Sequence, residues 1–243
     1  MFRFVIAFCF CIVLLVFSVS ADTVVETSQL SDRWFITPEV WTNPWENWRV
    51  EKGEIVTTHR SPQKSMTLHH LTYQLSDKNT AARMSVMVRL LDVDKEGSAG
   101  FSLGIRMNDP IDDYRSRLLF GEGLYAGITS EGELFIGPKT RKKLNTSELF
   151  LDVLLTITIE PNDNDTYNVV LIAEEGNEGK ELGRVAQQEI ARDRLTGNVA
   201  LVANAPRQIA NCRMDALWAF SDWTLSGDKF ACSPEQAFGP ILW

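Results

Sequence analysis

Four tryptophans fall within fifteen residues, Trp34, Trp41, Trp45 and Trp48, in the stretch WFITPEVWTNPWENW. An indole offers a broad apolar face and a single N–H donor, which suits stacking on a sugar ring, holding a cation or anchoring an interface. The four are not equivalent. Trp48 opens WRVEKGEIV, where Trp48 and Val50 alternate inward on a strand and Lys52-Gly53 supplies the turn, so Trp48 belongs to a core. Trp34 is expected inside as well. Trp41 and Trp45 lie in a loop with Pro38 and Pro44, where packing demands them less, and they are the candidate ligand contacts.

A second set is Asp92, Asp94 and Glu96 in LDVDKEGSAG. Spacing of two on a strand places three carboxylates on one face, the arrangement glycosidases use for a nucleophile and an acid/base pair. That chemistry wants glutamate at both ends, however, and the segment runs into Gly97-Ser98-Ala99-Gly100, so a turn is the more natural reading. These three residues are kept as candidate ligand contacts rather than catalysts. A calcium site built from them, or from Asn162-Asp163-Asn164-Asp165, lacks a full ligand set, and no cofactor is expected.

Histidine adds little. His69 and His70 are adjacent, so on a strand they face opposite ways and cannot share a metal, and His59 stands alone. No GxSxG, HExxH or GxxxxGK[ST] occurs, so no catalytic residue and no metal ligand is assigned. A formal charge of −8 argues against nucleic acid or an anionic membrane as partner. The one basic cluster, Lys139 to Lys143, follows a glycine and a proline and reads as a solvated hairpin loop. The sequons at Asn145 and Asn164 are too short to weigh.

Such residues need a scaffold, and nearly everything downstream of the N-terminus reads as strand. ARMSVMVRLLDV alternates Met84, Val86, Val88 and Leu90 against Arg83, Ser85, Met87 and Arg89. LTITIEP and TYNVVLIAE, joined by PNDND, make a hairpin over residues 151–174. AGFSLGIRM, SRLLFGEGLYAGI, GELFIG, GNVALVANA and ALWAFSDWTLSG continue the pattern. Val185 to Arg194 fits either a short helix or a strand with a turn. Turn residues recur every eight to twelve positions, the rhythm of an antiparallel sandwich or barrel. The expected fold is all-β, a two-sheet antiparallel jelly-roll sandwich spanning residues 22–228, with 229–243 as a tail or linker.

The first 21 residues have a different character. Arg3 precedes a continuous apolar run, Phe4 to Phe17, and Val19-Ser20-Ala21 provides a processing site. This is the form of a secretory signal peptide cut after Ala21, so the mature chain is expected to be secreted, with no membrane attachment after cleavage. Cys9 and Cys11 leave with it. Cys212 and Cys232 remain, and in an exported chain such a pair is expected to form a disulfide.

Two resemblances follow from these segments. WENWRVEKGEIV, LTYQL, ARMSVMVRLL and GSAGFSLGIR together resemble concanavalin-like and laminin-G-like sandwich modules, over residues 45 to 228 or so. FSDWTLSGDKF and PEQAFGPILW, between Phe220 and Trp243, resemble the end of the N-terminal domain in exported alkaline phosphatase D-like proteins. The second implies that a metallophosphoesterase domain follows, with its metal ligands beyond Trp243. The function these readings imply is a non-catalytic binding or accessory module, its partner a polysaccharide or a C-terminal catalytic domain. The alternatives are a phosphoesterase whose catalytic residues lie past Trp243, or a purely structural domain.

Overall fold

Alternation of apolar and polar residues becomes a strand only where a second apolar face is available to cover it. A computed structural model of the chain describes residues 23–34, 36–60, 63–107, 114–144, 152–176 and 179–232. Among these the apolar faces meet in two antiparallel sheets of eight strands each. The expected signal peptide and the segment 233–243 lie outside the described residues.

The first sheet runs in the order β13 (Glu181–Ala191), β12 (Thr166–Glu175), β11 (Val153–Pro161), β6 (Ala82–Val93), β15 (Ala216–Ser226), β4 (Glu54–Thr57) and β3 (Trp48–Glu51). The short β1 (Thr23–Val25) pairs with β15. The second runs β10 (Thr140–Lys143), β9 (Glu133–Ile136), β8 (Glu122–Thr129), β7 (Ser98–Arg106), β14 (Gly197–Ala203), β5 (Met66–Leu75) and β16 (Phe230–Cys232). Here β2 (Val40–Asn43) pairs with β5. Two short helices, α1 (Tyr114–Phe120) and α2 (Arg207–Ala210), interrupt the strands. This is the two-sheet jelly roll that the alternation predicts.

The expected inward residues do form the core. Met84, Val86, Val88 and Leu90 of β6 and Leu155, Ile157 and Ile159 of β11 are buried in one cluster with Phe101, Leu103 and Leu201 of the facing sheet. Trp48 is fully buried, its ring 5.7 Å from that of Phe220. The hairpin turn at Asn162–Asp165 is held by paired amides, Asn162 Nδ2 to Asn168 Oδ1 at 3.1 Å and Asn168 Nδ2 to Asn162 Oδ1 at 2.8 Å. Val185 to Arg194 resolves as strand β13 ending in a single 3-10 turn, Arg192–Leu195.

Three expectations are corrected. Trp34 is 52% exposed: its neighbour Arg33 bridges to Val50, and this pairing turns Trp34 to the outer side beside Arg49, whose guanidinium lies 5.9 Å from the ring centre. Residues 116–120, read as the start of a strand, belong to α1, which buries Leu118 and closes with Gly121 N–H donating to the Arg117 carbonyl at 3.0 Å. Cys212 and Cys232 are free thiols. Cys212 packs with Val202 and Ala205 near the Met66 end of β5, whereas Cys232 lies opposite Tyr73 near its other end. Seven residues of strand separate those positions, on the order of 20 Å, too far for a bridge.

Candidate functional site

The outer face of the second sheet carries an uninterrupted cross-strand row. Trp41 of β2 lies opposite His69 of β5, His69 opposite Ala200 of β14, Ala200 opposite Ser102 of β7, and Ser102 opposite Tyr125 of β8. Residues directly opposite in an antiparallel pair point to the same face, so one ladder rung aligns five residues from five distant segments. The next rung contains Gly100 opposite Gly127. A Cβ on either would fall 2.2 Å from a carbonyl oxygen of the other strand, so this part of the floor admits no side chain at all.

Above the row is a cleft of about 380 Å³, within the size range of small-ligand sites. Its floor includes Thr67, His69, Ser102 and Tyr125; Leu118, Leu119 and Phe120 of α1 wall one side, and Pro206, Arg207 and Gln208 at α2 wall another. Asn43 joins the wall to the floor, its Nδ2 donating to the Leu118 carbonyl at 3.4 Å. Arg141 fixes the α2 wall from the hairpin β9–β10. It donates to the carbonyls of Ile209 and Ala210, the latter at 3.0 Å, pairs with Glu133 at 3.0 Å and lies over the Phe135 ring. The basic cluster thus contains one residue with a structural task, while Lys142 and Lys143 are exposed.

The floor is polar but uncharged. His69 is 2% exposed, and burial pushes its pKa down to about 3, opposed only by the nearby Leu118 carbonyl, so the ring is neutral at physiological pH. Its Nε2 lies 2.9 Å from Thr67 Oγ1. Burial, with the Glu122 carboxylate adding to it, pushes Tyr125 up to about 12 and keeps the phenol protonated. Ser102 is 1% exposed and its hydroxyl has no hydrogen-bond partner among the described residues. A buried hydroxyl left unpaired is costly in a finished core and is ready to be satisfied by a ligand.

His70, next along β5, faces the opposite way, as strand geometry requires. Its Nδ1 accepts the N–H groups of Thr72 and Tyr73, both at 3.3 Å, and its ring meets Trp223 edge-on at 5.3 Å. Burial lowers its pKa to about 4, against a weaker opposing pull from Glu39.

Of the residues singled out by sequence, Trp41 stands opposite His69 in the row, beside the cleft and not among the residues that line it. It is half-buried, its ring 6.1 Å from that of His69. Trp45 is two residues past Asn43 and 65% exposed. Asp92 is ion-paired with Arg60, Asp94 lies 3.7 Å from Lys95, and Glu96 Oε2 accepts the Arg213 N–H at 2.9 Å. These carboxylates sit at the β6–β7 turn and do not line the cleft. The sequence weighs His69 only as a metal ligand, and no motif points to Ser102 or Tyr125. The available signal was the run of small residues at alternate positions, Gly100, Ser102 and Gly104 on one strand and Gly123 and Gly127 on the next. Among the described residues no three His, Cys, Asp or Glu side chains gather as metal ligands, and no helix is long and apolar enough to cross a membrane.

No protein-family model matches the chain, and no curated protein matches it in sequence. Solved structures do share its fold. It is similar to the lectin UEA-II complexed with galactose, at 8% identity and TM-score 0.52, over 84% of this chain and 98% of that one. It is similar to the alginate lyase Aly36B in complex with an alginate trisaccharide, at 10% identity and TM-score 0.50, over 86% and 98%. The exoplasmic/lumenal domain of VIP36 in its Ca2+-bound form gives 7% identity and TM-score 0.51, over 83% and 88%. At such identities the likeness speaks for a lectin-like, concanavalin-like sandwich and for the fold alone.

Proposed function

We propose that this chain is an exported, non-catalytic carbohydrate-binding module whose ligand lies in the cleft over β5, β14, β7 and β8. The observation that carries this reading is the row Trp41–His69–Ala200–Ser102–Tyr125, an aromatic edge followed by neutral donors and acceptors. Sugar hydroxyls both donate and accept, and they match an unpaired serine hydroxyl, a neutral imidazole and a protonated phenol without any charge to compensate. His69 and Ser102 stand two strand spacings apart, about 10 Å, with only Ala200 between them, a span that a sugar ring can bridge. Trp41 supplies the stacking face beside it, and Trp45 extends the aromatic surface outward. The lectin UEA-II, complexed with galactose, and the alginate lyase mutant, complexed with an alginate trisaccharide, share the fold, which supports the reading.

Affinity gel electrophoresis against a panel of polysaccharides tests it. Retardation by at least one polymer is expected, with Ser102→Ala weakening it about tenfold, the loss of one hydrogen bond, and Trp41→Ala weakening it more. A panel without retardation, or retardation that both variants leave intact, removes this reading.

A second reading rests on the resemblance of Phe220–Trp243 to exported alkaline phosphatase D-like proteins: the sandwich is the accessory half of a phosphoesterase and positions a C-terminal catalytic domain. Sequencing the transcript through Trp243 tests it. A continuing frame rich in Asp, His and Asn supports it, and a stop codon ends it.

A further inference from the structure

The cleft is neutral at its floor, yet its ends differ in charge. Lys64 lies two residues before β5 and Arg207 four residues after β14; because Met66 pairs with Ala203, both leave the sheet at the same end. Glu122 opens β8 opposite Arg106, and this is the other end, where Ile105 pairs with Asn198. Asn198 to Ala203 spans about 15 Å of strand, further than the roughly 8 Å over which charges act at physiological salt. Glu122 therefore does not neutralise the two cations.

Nor does anything else among the described residues. Arg49, Arg89, Arg141 and Arg192 are each paired with a carboxylate, whereas the side chains of Lys64 and Arg207 have no hydrogen bond or ion pair among the described residues. Both are exposed and both line the cleft. In a chain of net charge −8, two free cations converging on one end of a sugar-sized cleft from separate segments are a local reversal of sign. An arginine offers a planar fork for two oxygens of one anion, and a lysine a point charge beside it.

We propose that the cleft recognises an anionic sugar, a pyranose bearing a carboxylate or a sulfate, with the charged group held by Lys64 and Arg207 and the hydroxyls meeting Ser102 and His69. This rests on the carbohydrate-binding reading above. Net repulsion between chain and polymer is screened beyond the first contacts, so the pair of cations at the cleft decides selectivity.

The test compares polymers of one backbone with the charged group present or removed: polygalacturonate against its fully methyl-esterified form, and a sulfated galactan against its desulfated form. Titration calorimetry of the full chain is expected to show at least tenfold tighter binding to one charged polymer than to its uncharged counterpart. The variant carrying both Lys64→Gln and Arg207→Gln is expected to lose that preference while still binding the uncharged polymer. Equal affinity for charged and uncharged forms, or a preference that survives in the variant, overturns the anionic assignment and leaves carbohydrate binding standing. Absence of binding to all four polymers and to the wider neutral panel overturns both.

Discussion

Two adjacent histidines, buried on opposite faces of one strand, should make this sandwich acid-labile. Buried imidazoles resist protonation, and burial holds the pKa down to about 3 for His69 and about 4 for His70, against 6.5 in an open chain. Between those values and 6.5 the unfolded chain binds more protons than the folded one, so stability is complete above pH 6.5 and is withdrawn as pH falls. At pH 5 each histidine withdraws about 2 kcal/mol, together a large part of the 5–15 kcal/mol by which a domain of this kind is stable. His70 has a specific reason to resist: a proton on Nδ1 would displace the N–H groups of Thr72 and Tyr73 that it now accepts. Urea unfolding followed by tryptophan fluorescence at pH 7, 6 and 5 measures the loss in the wild type, in His69→Gln and in His70→Gln. Acidic residues titrate in all three proteins, so the informative quantity is the difference between wild type and variant. That difference should shrink by about 2 kcal/mol per histidine from pH 7 to pH 5. A difference that stays constant across this range would show that neither ring is held neutral by burial, and would refute the account of the cleft floor as well.

Lys229 is fully buried and donates to the carbonyls of Ser76 and Lys78 and to Tyr167 Oη, and burial, aided by Arg192, lowers its pKa to about 8. The unfolded chain holds the extra proton between pH 8 and 10.5, so wild type should gain about 1 kcal/mol relative to Lys229→Met between pH 7.5 and 9.5, after allowing for solvent near the exposed Asp77 and Lys78. An opposite slope in urea midpoints would mean that the three acceptors outweigh desolvation. Thiol titration should find Cys232 reactive in the native protein and Cys212 reactive only after unfolding, because burial pushes the Cys212 thiol up to about 11; a two-dalton mass increase on reduction would contradict both. Arg141→Gln should cost about 1–3 kcal/mol and speed amide exchange of Ile209 and Ala210, whose carbonyls it now holds; unchanged exchange would show that α2 stands without it.

The fold was legible because its signal is local. Met84-Val86-Val88-Leu90 and Leu155-Ile157-Ile159 state their faces within a few residues, and the core followed them. The cleft was not legible in the same way, since its row joins positions 41, 69, 200, 102 and 125 through strand register, which no short window contains. Adjacency alone sets His69 and His70 on opposite faces, but which of them meets a cleft depends on the order of strands. Trp34 misled because indole is apolar wherever it lies, and one bridge from Arg33 to Val50 turned it outward. The cysteines misled because an even count says nothing about distance, and here β5 runs between them.

The clasp around Lys229 also has a mechanical meaning. The last described strand, β16, pairs its three residues with Tyr73, Gln74 and Leu75 of β5. Just before it, the Lys229 carbonyl accepts from both the backbone and the hydroxyl of Ser76, each at 2.8 Å. A pull applied at Cys232 loads β5 first, the strand that carries Thr67 and His69 into the cleft. The cleft floor and β16 are therefore in series, joined through the one strand β5.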